Sequence, residues 1–184
     1  MNLLVDKLPT DYEGLKINTN FRSFILFELL MQDNKIKEQD KIILTLQLFF
    51  KEPPRDVKKA MEGILWFYRC GEKEKISKKG EGNSKKQIYS YEYDAKYIYS
   101  AFLSQYNIDL NEVNDLHWFK FKALFEGLNE ENKICEIMSY RSIDLNKIKD
   151  KEERKKYRRL QRQWALPDNR SIEEKEKDFA NSLW

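Results

Sequence analysis

Val57-Lys58-Lys59-Ala60-Met61-Glu62-Gly63-Ile64-Leu65-Trp66-Phe67-Tyr68 is the stretch that decides the fold class. Val57, Ala60, Met61, Ile64, Leu65 and Tyr68 fall at i, i+3, i+4, i+7, i+8 and i+11. That spacing puts an apolar stripe on one face of a helix. Pro53-Pro54 stops whatever comes before, because proline lacks a donor and disfavours a helical residue ahead of it. Pro54 itself suits the first turn of this helix. Gly71 marks its end.

Working back toward the N-terminus, a helix is expected from about Glu38 to Lys51, with Ile42, Leu46, Phe49 and Phe50 on its core side. Before it, the run Phe21 to Met31 is apolar nearly all round except for Arg22, Ser23 and Glu28. A helix with so little polar face is expected to be well buried. Residues 1–19 read as an extended lead-in. Gly14 can turn a small hairpin there, between Lys7-Leu8 and Leu15–Ile17.

Toward the C-terminus the character changes. Residues 72–87 hold six lysines, three glutamates and two glycines. Such a stretch cannot offset its ordering entropy by burial, which predicts a flexible linker over 72–88. Beyond it, Tyr89, Tyr91 and Tyr93 alternate and lead into a helix over about 92–107. Ala95, Ile98, Tyr99, Phe102, Leu103 and Tyr106 make its apolar face. Asn107-Ile108-Asp109-Leu110 breaks it. Further helices are expected at about 115–127 and 130–141, the latter capped by Asn129. A last one spans about 150–165, acidic in its first turn and basic after it, as the helix dipole prefers. The fold class is therefore all-α, with six to eight helices and room for a small N-terminal β-hairpin. The expected divisions are 1–71, a helical half with its extended lead-in; 72–88, the linker; 89–168, a second helical half; and 169–184, a polar tail, together forming one folded unit.

The chain has 184 residues, 14% of them aromatic, enough for a real core despite 35% charged residues. Its net charge of +3 gives no bulk case for nucleic acid. No run is long and apolar enough to span a membrane. The start, Met1-Asn2-Leu3-Leu4-Val5-Asp6, meets an acid too early for a secretion signal, so the expected location is the cytoplasm. Cys70, Cys135 and His117 are too few and too far apart for a zinc site, and no cofactor is expected. None of the six glycines forms a phosphate-loop spacing. His117 has no accompanying nucleophile motif, so a structural role outweighs a catalytic one. No enzyme chemistry is expected.

Two surfaces remain as candidates. Lys147 to Arg162 holds nine bases against three acids, with Lys155, Lys156, Arg158, Arg159 and Arg162 as the basic patch. Tyr157, Leu160 and Trp164 have helical spacing that suits docking onto the protein's own core. A solvated face or an acidic protein partner is favoured over nucleic acid. The second candidate is the aromatic series of the later half. It is a core first, but Tyr93, Tyr97, Trp118 and Phe121, rimmed by Tyr140 and Arg141, are expected to include a partner-binding face.

Several ordered segments carry a resemblance. Leu8-Pro9-Thr10, Ile17-Asn18-Thr19-Asn20-Phe21-Arg22, Tyr93 to Phe102, Tyr106 to Leu110, Leu116 to Leu124, Ser139 to Leu145 and Ala165-Leu166-Pro167 resemble the bacteriophage gene-product-fifteen family of siphophages and prophages. The match covers roughly residues 8–168. The resemblance implies a tail-region protein of the tail assembly chaperone type, in the cytoplasm of the bacterial host. Its implied partners are the tape measure protein and the major tail tube protein, with self-association left open. It implies no catalytic residues. The alternatives are a minor tail protein that stays in the virion and a nucleic-acid-binding accessory protein using the basic helix 147–162.

Overall fold

A computed structural model describes residues 2–72 and 87–167. The expected linker, apart from its two ends, and the expected tail lie outside the described residues. Within them the chain is mainly helical. β1 (Asp11–Tyr12) and β2 (Leu15–Lys16) form a two-stranded hairpin. Seven α-helices follow among the described residues: α1 (Phe21–Gln32), α2 (Glu38–Phe49), α3 (Val57–Tyr68), α4 (Ala95–Tyr106), α5 (Trp118–Glu126), α6 (Lys133–Ser142) and α7 (Lys151–Gln163). A single 3-10 turn, Leu145–Lys147, sits between α6 and α7.

The hairpin is where the lead-in was expected to turn, but its first strand is Asp11–Tyr12 and not Lys7-Leu8. Glu13 and Gly14 both take positive φ, 49° and 83°. A two-residue loop with both central residues left-handed matches the twist of the strands it joins. The hairpin packs on α3 through a close approach at Gly63. A Cβ there would stand 2.8 Å from Ile17 Cδ1 and 3.0 Å from Tyr12 Cβ.

Helix ends differ from expectation where a better cap lies nearby. Asp56, not Pro54, starts α3, and its carboxylate accepts the Lys59 amide hydrogen bond at 2.9 Å. Asn132, not Asn129, precedes α6. α4 starts at Ala95, after Asp94, and Asn107 closes it in the left-handed conformation. The α3 stripe is also rotated from the expected one. Ala60, Gly63, Ile64 and Phe67 face in, while Val57 and Leu65 are exposed.

The core runs unbroken across both helical halves. Phe24 of α1 stacks on Trp118 of α5 at 5.0 Å, Trp118 on Phe121 at 5.6 Å, and Phe121 on Phe102 of α4 at 5.0 Å. Phe67 of α3 and Ile134 of α6 belong to the same buried cluster. α7 lies outermost, docked on α6 through Tyr157 against Tyr140 and through Gln161, whose amide donates to the Tyr140 and Ile143 carbonyls.

Candidate partner-binding surface

The six residues expected to meet a partner divide sharply. Trp118 is 1% exposed and Phe121 fully buried. They join four elements of the core and offer nothing to a partner, so that expectation is corrected. The reason is their position: α5 is short, central and flanked by α1, α3 and α4, so its rings are enclosed on all sides. Trp118 Nε1 also donates to the Tyr68 carbonyl at 3.1 Å, satisfying its one polar atom inside the protein.

Arg141 is buried as well. Its guanidinium meets Asp94 in two hydrogen bonds, 2.5 Å and 3.0 Å, and donates to the carbonyls of Ile88 (3.0 Å) and Trp164 (2.6 Å). Asp94 also accepts from the Ser90 amide at 2.9 Å. This fork ties α6 to the start of α4, to the chain entering that helix, and to the end of α7. It is an internal latch and not a rim. The spacing Ile134, Ile137, Arg141 on one helix face was the signal available for its burial.

Tyr97 is half-buried, edge-on to Trp164 at 5.8 Å. Tyr140 is half-buried too, and its hydroxyl donates to Glu136. Lys133 and Tyr140 together hold the Glu136 carboxyl below its ordinary range. Tyr93 alone is well exposed, at 43%, and lines an open groove of about 600 Å³ with Leu29, Gln32, Asp33, Lys35 and Glu92. Lys155, Lys156, Arg158, Arg159 and Arg162 are all exposed on α7, and none is ion-paired among the described residues. The rings of α7 turn inward, so the patch is cationic without a stacking platform.

His117 has a structural task. It is the N-cap of α5: Nδ1 accepts the Phe119 amide at 3.1 Å, which leaves Nε2 as the donor to the Pro9 carbonyl at 2.9 Å. The cap bond to Nδ1 requires the neutral ring, with its proton on Nε2. Burial, the largest cause, holds its pKa below the ordinary value, and the Pro9 carbonyl works against that. Beside it lies Asn20, the N-cap of α1. Phe21 N donates to the Leu116 carbonyl at 3.0 Å, and Trp118 N to Thr19 at 2.8 Å. Arg22 then reaches the carbonyls of Val113 and Leu110 at 2.7 Å and of Asn111 at 3.1 Å. Segments far apart in sequence, 8–10, 17–22, 110–113 and 116–118, thus meet in one knot.

The stretches 8–10, 17–22 and 116–118, with Leu110, fall in segments on which the family resemblance rests. A family model described as bacteriophage Gp15 protein matches residues 4–166, most of the chain. The chain belongs to that family. It is a phage protein, and no curated protein or solved structure matches it at a significant level. In this Gp15-family chain those segments meet at the junction of α1 and α5.

The outer surface of α2 escaped the sequence reading. Ile42 was expected in the core but is exposed, with Ile43 (56%) and Leu44 beside it. The sides of α2 turned inward carry Lys41, 5% exposed, and fully buried Thr45. Lys41 Nζ is satisfied by the Met31 carbonyl at 3.1 Å and by Glu38 at 2.8 Å. The α1 helix shows the same inversion more weakly. Ser23 and Glu28 are buried while Leu26 is 50% exposed, against the expectation of a helix buried all round. Tyr68 donates to Glu28 at 2.7 Å, yet burial still raises the carboxyl above its ordinary pKa. Among the described residues, no group of three or more His, Cys, Asp or Glu is placed to hold a metal ion, and both cysteines are free thiols. Burial pushes the Cys70 thiol up to about 11, away from reactivity.

Proposed function

We propose that this phage protein is a tail assembly chaperone. It covers the apolar stripe of the tape measure protein in the host cytoplasm, keeps it soluble, brings tail tube subunits to it, and leaves before the virion is complete. It makes and breaks no bond. The observation that carries this reading is that Ile42, Ile43 and Leu44 of α2 are exposed while Lys41 and Thr45 are buried beside Phe49. Three partly exposed aliphatic side chains give adhesion weak enough to reverse, which a departing chaperone needs. Membership of a bacteriophage family supplies the setting.

Co-expression with the tape measure protein of the same phage tests it. The expected result is a several-fold larger soluble fraction and a co-purifying complex, with the chain missing from purified virions by mass spectrometry. Equal solubility without the chain refutes the reading. Abundant chain in the virion favours a minor tail protein. The outward cations of α7 favour a second reading, nucleic-acid binding, which predicts DNA affinity falling steeply with salt.

A further inference from the structure

Nine of the 13 residues of α7 are charged, and they are sorted by side. Lys151, Lys155, Arg158 and Arg162 fall at i, i+4, i+7 and i+11. At 3.6 residues per turn they share an arc of about 60° and form a ladder about 16 Å long. Arg159 flanks the ladder on one side. All five are exposed, and none is ion-paired among the described residues. No acid of α7 interrupts the ladder: Glu152 lies beyond Arg159, and Glu153 lies on the opposite side. Asp150, the N-cap, uses its carboxylate on the Glu153 amide at 2.7 Å. Arg154 is the base that serves the fold. It is half-buried and donates to the Ile148 carbonyl at 2.9 Å and 2.7 Å. The ladder makes no such contact.

We infer that this ladder binds the phosphate backbone of double-stranded nucleic acid and reads no sequence. Charge complementarity restricts the occupant to a polyanion, and three features choose among polyanions. A single strand is held by rings on which its bases stack. Here Tyr157 is turned onto Tyr140 and Trp164 onto Tyr97, away from the ladder. A bilayer surface holds a basic helix by burying its apolar edge, and those same contacts already occupy that edge within the protein. An acidic protein segment has to pair side chain by side chain, and exposed pairs contribute little each. The ladder has no aliphatic side chain to add to them. A double helix carries one negative charge per about 1.7 Å of axis, and the counterions it releases drive binding without exact pairing. The inference rests on the nucleic-acid reading of α7, which it narrows to one face and one form of nucleic acid. It is independent of the chaperone reading, whose observation lies on α2.

A fluorescein-labelled DNA duplex about two helical turns long, about 20 base pairs, serves as the probe. Titrated with the full chain and read by anisotropy, it should bind saturably, and two unrelated sequences should bind alike. Four to five neutralised phosphates give a slope of log K against log salt of about −4, or binding about two hundredfold weaker at 200 mM than at 50 mM salt. Arg158→Gln combined with Arg162→Gln should weaken binding about tenfold or more and make the slope shallower by about two. Arg158→Lys combined with Arg162→Lys should keep most of the binding, since a phosphate accepts either cation. Lys58→Gln with Lys120→Gln, exposed bases of α3 and α5, changes the net charge equally and should leave binding nearly unchanged. Circular dichroism verifies that each pair of substitutions keeps the helix content. Absence of duplex binding overturns the inference and the nucleic-acid reading together. Binding that the glutamine pair on α7 leaves intact, or that the Lys58 and Lys120 changes weaken as much, overturns the inference alone. So does an unlabelled single strand that competes as well as the duplex. Phosphatidylserine vesicles, or a helical peptide with glutamate at i, i+4, i+7 and i+11, that displace the duplex at equal charge give the face to a membrane or a protein and also overturn it. Tape measure solubility should be unaffected by the glutamine pair, which keeps this test apart from that of the chaperone.

Discussion

Two sides of this protein treat polar groups in opposite ways. Where α1, α5 and the start of α4 meet, most buried and half-buried polar groups find partners, with the Tyr91 hydroxyl the exception. Asn20 and His117 cap adjacent helices, Arg22 fills three carbonyls, and Arg141 forks onto Asp94. On α2, one of two buried polar side chains goes uncompensated and three aliphatic ones are partly exposed. Thr45 Oγ1 is buried with no hydrogen-bond partner among the described residues. The first side has the arrangement expected of a structure complete in itself. The second has an arrangement that a partner would complete. Substitutions on the first side should therefore cost stability, and those on the outer face of α2 should cost only binding.

The largest effect should come from Arg141→Ala, which strands the buried Asp94 carboxylate. Breaking one partner of a buried pair costs about 3–5 kcal/mol, so urea unfolding should show a large share of the stability of an ordinary domain, about 5–15 kcal/mol, lost. Arg141→Lys should recover little, because an ammonium cannot reproduce the two-pronged contact with Asp94 while also reaching Ile88 and Trp164. A cost under about 1 kcal/mol would place the latch among ordinary surface pairs. Next comes Gly63→Ala. In a free helix this change gains about 1 kcal/mol. Here the new methyl would meet Ile17 and Tyr12 at 3.0 Å or closer, and overpacking should turn the gain into a loss of about 1–3 kcal/mol.

How far the sequence foretold each side follows from the same contrast. Helix positions were legible because their signals are local: Asp150 with Glu152 and Glu153 opening α7, Asn107 ending α4, Pro53-Pro54 separating α2 from α3. The faces were less legible, because periodicity tells that a helix has an apolar side and not which neighbour claims it. On α2, nearly every residue from Ile42 to Phe50 is apolar, so the spacing could not pick out the edge containing Lys41, Thr45 and Phe49. Trp118 and Phe121 went from candidate surface to core for a related reason. Their enclosure depends on α1 and α3, far away in sequence. The Asp94–Arg141 pair spans 47 positions and leaves no local mark on the chain.

His117 permits a smaller test that reads pH. Its folded pKa lies below the unfolded value of about 6.5. The unfolded chain therefore binds the proton first as pH falls. The stability from the neutral ring is complete above about pH 6.5 and is lost as pH drops through the depressed folded value. Glu28, raised by burial, acts in the opposite sense at lower pH: its contribution is complete below its unfolded value and lost as pH rises through the folded one. His117→Asn keeps a good cap for α5 but gives up the Pro9 bond. It should cost about 1 kcal/mol at neutral pH and flatten the fall in stability toward pH 5.5, measured by denaturant unfolding. An unchanged acid slope in the variant would show that other groups set it.

The smallest effects belong to α2, and their smallness is the point. Ile43→Gln should change unfolding stability by less than about 0.5 kcal/mol, as at any exposed position free of special contacts. Thr45→Val should stabilise by up to about 1 kcal/mol, since it removes a buried hydroxyl without a partner and keeps nearly the same shape. Should Ile43→Gln prove as damaging as a core substitution, the outer face of α2 is covered by this same molecule. The contrast between the two sides would then be only one of degree.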